Sequence, residues 1–93
     1  MSNKQAFEML IKTLYRINST SDMELILNCI LTKKEIEDIS DRLNIYNELI
    51  NSKSPQREIA CNLGVSISKI TRGAANLQDK KIEDFLKNKI FNN

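Results

Sequence analysis

Four cations, Lys53, Arg57, Lys69 and Arg72, stand against one acid, Glu58, in the stretch from residue 53 to residue 73. Side chains of that kind neutralise phosphates, so the stretch is a candidate surface for a polyanion. Upstream, from Asp22 to Glu48, the balance reverses, with seven acids against Lys33, Lys34 and Arg42. The formal charge of +2 over 93 residues hides this division. Other chemistries are poorly supplied. Histidine, the commonest general base, is absent. Cys29 and Cys61 each lack a second Cys nearby, which excludes the usual zinc spacings and a disulfide framework, and both read as small buried thiols. No glycine-rich phosphate loop or nucleophile elbow accompanies the carboxylates. The pattern predicts no enzyme, no metal and no resident cofactor.

The basic residues need a scaffold, and Gln56 to Gly73 supplies the pattern of a helix-turn-helix. Two helices that cross closely need a small side chain where they touch, and Ala60 is placed to provide it. Gly64 takes the left-handed backbone that turns the chain between them without steric cost. Ile59, Leu63, Val65 and Ile70 fill the wedge. Ser66 caps the second helix, and Ile67, Ser68, Lys69, Thr71 and Arg72 are left on the face and first turns that would enter a major groove. Gln56, Arg57 and Lys53 complete the expected DNA contacts. A plain helical corner would also end on glycine; the basic context and the lack of acids on the outer helix separate the two readings.

The rest of the chain reads as further helices, because apolar residues recur at three- and four-residue spacing and strand signals are nearly absent. Six helices are expected. The first, about Lys4 to Ile17, carries Phe7, Leu10, Ile11, Leu14 and Tyr15 on one stripe. The second, capped by Ser21 or Asp22 and running to about Ile30, is apolar on most of its circumference, which predicts burial on several sides. Thr32-Lys33-Lys34-Glu35 is a capping box that opens a third helix to about Asn51, with Ile36, Ile39, Leu43, Tyr46, Leu49 and Ile50 at core spacing. Ser54-Pro55 should open the fourth with a capping hydroxyl and a proline at the first helical position. The fifth runs from Ser66 to about Ala75, and the last, from about Asp79, puts Ile82, Phe85, Leu86 and Ile90 on one face. The expected architecture is all-α and a single domain over residues 1–93, with core helices at about 4–51 and 79–91 and the head at about 55–75. So short a chain buries a modest fraction of its surface alone, which favours a homodimer that shares its core. No apolar stretch approaches a membrane span, and the chain reads as cytoplasmic.

Leu31-Thr32, Glu35, Arg42, Ile45, Glu48-Leu49, Gln56-Arg57-Glu58, Leu63-Gly64, Ile70-Thr71-Arg72-Gly73 and Leu77 together resemble the bacterial tryptophan repressor family. The resemblance is close from about Leu31 to Leu77 and holds only by pattern in the flanking helices. It implies an intertwined homodimer with two DNA-reading heads and L-tryptophan as corepressor. It places Arg42 and Arg72 on either side of the indole, a cation over each face of the ring, and Gly73 where room for the ligand is needed. Carbonyls near Cys29 and Leu31 of the other subunit would receive the amino group. Thr32 and Asn76 stand near the carboxylate, although the family usually has serine at the latter position. Ala60, Lys69 and Ala74-Ala75 also differ in character from common family residues, so the operator sequence does not carry over.

The implied mechanism is a population shift in which tryptophan wedges the heads outward until both recognition helices match successive major grooves, about 34 Å apart on a palindromic operator. Other readings make different demands. A related helix-turn-helix regulator would sense another ligand or none, and a protein-docking adaptor would ignore DNA at low salt.

Overall fold

The computed structural model describes residues 2–92 and contains, among them, six α-helices and no strand. The chain divides into two compact units, one ending at Ile36 and the other starting at Glu37.

In the first unit, α1 (Asn3–Tyr15) opens on a capping box: Ser2 Oγ accepts from the Gln5 amide at 3.2 Å and Gln5 Oε1 accepts from the Ser2 amide at 2.9 Å. It stops short of the expected Ile17, because the Arg16 and Ile17 amides close three-residue turns onto Thr13 and Leu14. The cap of α2 (Thr20–Ile30) is Ser19, which accepts from the Asp22 amide at 3.1 Å; the expected Ser21 and Asp22 lie inside the helix. Ser19 is the residue with extended backbone, the conformation a capping residue requires. Thr32 and Glu35 form the expected box, with the Glu35 amide donating to Thr32 Oγ1 at 3.1 Å and the Thr32 amide to Glu35 Oε1 at 2.8 Å.

The expected burial of α2 does not occur within one chain. Neither α1 nor α2 has a buried residue, and Phe7 and Leu25 are 61% and 69% exposed. Apolarity all round the helix sets what the side chains seek, whereas burial needs a neighbouring surface on each side.

The second unit holds the core. α3 (Lys33–Asn51) enters it from Glu37 and is followed by α4 (Gln56–Leu63), α5 (Ile67–Asn76) and α6 (Lys80–Phe85). Ile45, Ile59, Ala60 and Ile70 are buried together, with Leu49, Leu63 and Val65 packed against them. Ile59 and Ile70, 2% and 0% exposed, each contribute about 1.5–3 kcal/mol of burial. The expected α3 stripe therefore named the wrong face in part: Ile45 is buried, while Ile39 and Leu43 are about half exposed. α4 begins one residue later than expected, with Pro55 at the capping position and no side-chain cap. The Ser54 hydroxyl does not serve it, and the Pro55 carbonyl instead accepts from the Glu58 and Ile59 amides.

Asp79 caps α6, accepting from the Lys81 amide at 3.0 Å. Beyond Phe85 the helix widens into a π turn over Leu86–Ile90, closed by the Phe91 amide on the Leu86 carbonyl at 2.7 Å. Asn51 Nδ2 donates to the Phe91 carbonyl at 3.5 Å, tying this turn to the end of α3. The expected single helical face through Ile90 is thus interrupted. Lys80 pairs with Asp84 at 3.1 Å and Glu83 at 3.5 Å, and these carboxylates, Asp84 first, hold its ammonium above the ordinary lysine range. No helix among the described residues is long and apolar enough to cross a membrane.

Candidate functional site

The corner between α4 and α5 is built as a helix-turn-helix. Gly64, at φ 67° and ψ 33°, has the left-handed conformation, and the Val65 amide reaches back to the Ala60 carbonyl at 3.0 Å to close the end of α4. Ala60 is buried at the crossing, and Ile59 and Ile70 lock the two helices through the core. Ser66 caps α5 by accepting from the Lys69 amide at 3.4 Å.

This corner leaves its polar face open. Lys53, Gln56, Arg57, Ser66, Ser68, Lys69, Thr71 and Arg72 are all exposed, and Ile67 stands among them with half its surface free. Such a face offers amides, hydroxyls and cations to a polyanion and one apolar side chain to a base methyl. Some of these groups are already engaged. The Ser66 and Ser68 hydroxyls share a hydrogen bond of 3.1 Å, and Thr71 Oγ1 donates to the Ile67 carbonyl at 3.1 Å, which leaves its oxygen able to accept. Lys69 Nζ lies 3.6 Å from Asp41 Oδ2 on α3. Sequence reasoning took Lys69 as a free cation and missed its partner, 28 positions upstream.

α5 also touches α3, and three contacts define the seam. Asp41 meets Lys69. Ile45 covers Gly73, where a Cβ would come within 2.8 Å of Ile45 Cγ2. Asn76 Nδ2 donates to the Tyr46 hydroxyl at 2.8 Å. These pairs advance together along both helices, so the helices run in the same sense through the contact. Arg42 and Arg72 each precede a member of the last pair, Tyr46 and Asn76 respectively, by four residues, about one helical turn. Both arginines are exposed. Gly73 has a packing reason for lacking a side chain besides the one expected from a ligand, because the space beside it is taken by Ile45 and by the Tyr46 ring, 3.7 Å away. Tyr46 and Asp41 are the residues that sequence reasoning missed at this seam; the four-residue spacing that Arg42 and Tyr46 share with Arg72 and Asn76 was the available signal.

The other expected ligand residues belong to the first unit. Thr32 caps α3, Leu31 ends α2 in extended conformation, and Cys29 lies in the last turn of α2. Both cysteines are exposed, against the expectation of buried thiols: Cys29 lies on the unburied α2, and Cys61 on the outer side of α4. A shallow hollow of about 410 Å³ lies elsewhere in the second unit, lined by Leu49, Ala74, Leu77, Gln78, Lys80 and Glu83, and contains none of the expected site residues. Among the described residues no cluster of His, Cys, Asp or Glu could hold a metal.

Residues 5–89 match the profile of a family described as "Trp repressor protein". A "Trp operon repressor homolog" of Xylella fastidiosa strain M23 is 66% identical over 90 residues, 97% of this chain and 98% of that protein. One of the same description from Vibrio campbellii is 41% identical over 61 residues, 66% of this chain and 61% of that protein.

Proposed function

Because the chain belongs to the Trp repressor protein family, a regulatory and not an enzymatic one, we propose that it represses genes of tryptophan biosynthesis or salvage by binding their operator when L-tryptophan is bound. The observation that carries the reading is the contact between α3 and α5 at Gly73 and at the Tyr46–Asn76 pair, with two exposed arginines, Arg42 and Arg72, each four residues before a member of that pair. An indole between the two guanidinium groups would gain a cation over each face. The same ligand would press on α5 from behind and so set the angle at which Ser66, Ile67, Ser68, Lys69 and Thr71 meet a major groove. Gln56, Arg57 and Lys53 would take phosphates, and affinity would fall steeply with salt. Thr32 would contribute from the start of α3, and Leu31 and Cys29 from the end of α2 across the dimer.

A homodimer is part of the proposal. Phe7, Leu10, Leu25, Leu43, Phe85 and Ile90 are between 38% and 69% exposed in a single chain. So many large apolar side chains left open outside the head favour a second copy that shares the core, as in a single repressor-like domain with core helices and a projecting head. The protein would work in the cytoplasm, where operator and tryptophan are both present.

The test is a gel shift on palindromic operator DNA from upstream of tryptophan genes, with and without L-tryptophan, at several salt concentrations. Retardation only with the amino acid, together with calorimetric loss of tryptophan binding in Arg42→Ala, is the expected result. No retardation at low salt in either state would overturn the reading.

A further inference from the structure

Resting on the tryptophan reading of the seam, we infer that Tyr46 is a ligand-positioning residue: its phenol and the Asn76 amide form one two-donor clamp for the carboxylate of the amino acid held between Arg42 and Arg72. The observation is the 2.8 Å hydrogen bond from Asn76 Nδ2 to the Tyr46 hydroxyl, which joins residues 30 positions apart on α3 and α5.

The proton inventory makes this pair a donor set. The bond uses one of the two protons on Nδ2 and one lone pair of the phenol oxygen. The second amide proton and the phenol's own proton have no acceptor among the described residues. A carboxylate carries about four acceptor sites and no proton, and is the group that two adjacent donors match. Position agrees with chemistry. Tyr46 follows Arg42 by four residues and Asn76 follows Arg72 by four, so the clamp sits one turn beyond the two guanidinium groups on both helices at once. A ring between the arginines would carry its polar end toward that turn.

The clamp also accounts for an amide at position 76. An asparagine side chain on an exposed helix face samples several rotamers, and ordering it costs free energy that a short hydroxyl avoids. Tyr46 holds the amide in one of them before the ligand arrives. The tyrosine is itself constrained, since its ring lies against the Gly73 backbone, at 3.7 Å from where a Cβ would stand. Asn76 is exposed and Tyr46 half-buried, so both donors can reach a ligand from solvent.

The experiment titrates the purified protein and its Tyr46→Phe and Asn76→Ala variants with L-tryptophan and with tryptamine, which has the indole and the amine but no carboxylate. The chain has no tryptophan residue, so indole emission reports the ligand alone. Tyr46→Phe keeps the ring against Gly73 and removes one charge-assisted donor, so the Kd for tryptophan should rise about tenfold. The Kd for tryptamine should move by less than about twofold. The double variant should bind tryptophan more weakly than either single variant, because the phenol and the amide each donate to the carboxylate. Equal weakening for both ligands, or none for tryptophan, would show a purely structural tie and overturn the inference while leaving the tryptophan reading intact. Should tryptamine bind too weakly to titrate, the 15N shift of the Asn76 side-chain amide on adding tryptophan decides, and an unmoved resonance overturns the clamp. If the unaltered protein binds no tryptophan, the site reading fails and the clamp fails with it.

Discussion

Gly73→Ala sets two opposing effects against each other at a position where the structure says which prevails. Gly73 lies inside α5 and has ordinary helical backbone, so exchange to alanine at an open site would stabilise the helix by about 1 kcal/mol. Here the new Cβ would arrive 2.8 Å from Ile45 Cγ2, with Leu49 Cδ1 at 3.5 Å. Carbon atoms prefer separations of about 3.5–4.0 Å, so only the first contact is too close. Ile45 cannot yield by bending a flexible tip. Its Cγ2 is bonded to Cβ and moves only by turning χ1 or by shifting α3, and Ile45 is 3% exposed in the core. Forcing a methyl into such a place costs about 1–3 kcal/mol. The expected balance is a net destabilisation of about 1 kcal/mol, read by urea unfolding at one fixed protein concentration because oligomerisation couples to stability. A double-mutant cycle makes the cause visible. Ile45→Ala alone should cost about 2–5 kcal/mol, yet combined with Gly73→Ala it should cost less than the sum, because the clashing Cγ2 is gone. Ile45→Val keeps Cγ2 and should give no such relief. A stabilised Gly73→Ala protein, or an additive cycle with Ile45→Ala, would refute the close packing of α5 on α3.

Three further outcomes are expected. Gly64→Ala should destabilise by about 1–2 kcal/mol, since the added Cβ meets nothing within 4 Å and the whole cost is the left-handed backbone at φ 67°; Gly64→Asn, which tolerates that region better, should cost less in the same urea assay. Asp41→Asn releases Lys69 from a pair that is largely solvent-exposed and worth at most about 1 kcal/mol, so stability should barely change, while operator affinity in a low-salt filter-binding assay should rise by up to about fivefold; unchanged or lowered affinity would refute Lys69 as a DNA contact. Arg57→Ala should lower the slope of log affinity against log salt by about 0.9 if the guanidinium contacts one phosphate, and an unchanged slope would remove it from the interface.

What could be read from the sequence was local. Thr32 with Glu35, Gly64 and Ser66 act on backbone groups within five residues, and their types announce the roles the structure gives them. Even local reading erred where several candidates were adjacent. Any of Ser19, Ser21 or Asp22 could cap α2, and the choice depends on where α1 releases the chain into extended backbone. Burial was the harder question. Ile39 and Leu43 look no different from Ile45 along α3, and only the arrival of α4 and α5 buries one and leaves the others open.

The seam shows why the site resisted reading more than the fold did. Lys69 looks like a surface cation, Tyr46 like one more apolar position and Asn76 like a helix-ending residue. Each assignment is reasonable for the residue alone, and each misses a partner on the other helix. Gly73 carries the connection between them, because the absence of a side chain there lets α5 approach α3 closely enough for Tyr46 to reach Asn76 and Asp41 to reach Lys69. A side chain at 73 would move α5 outward, and a hydrogen bond of 2.8 Å has little tolerance for that displacement. Gly73→Ala should therefore weaken tryptophan binding as well as folding, with Tyr46→Phe adding less in that background than in the original protein. If the two changes add in full, the seam does not bring the clamp together, and the site must be assembled by some other contact.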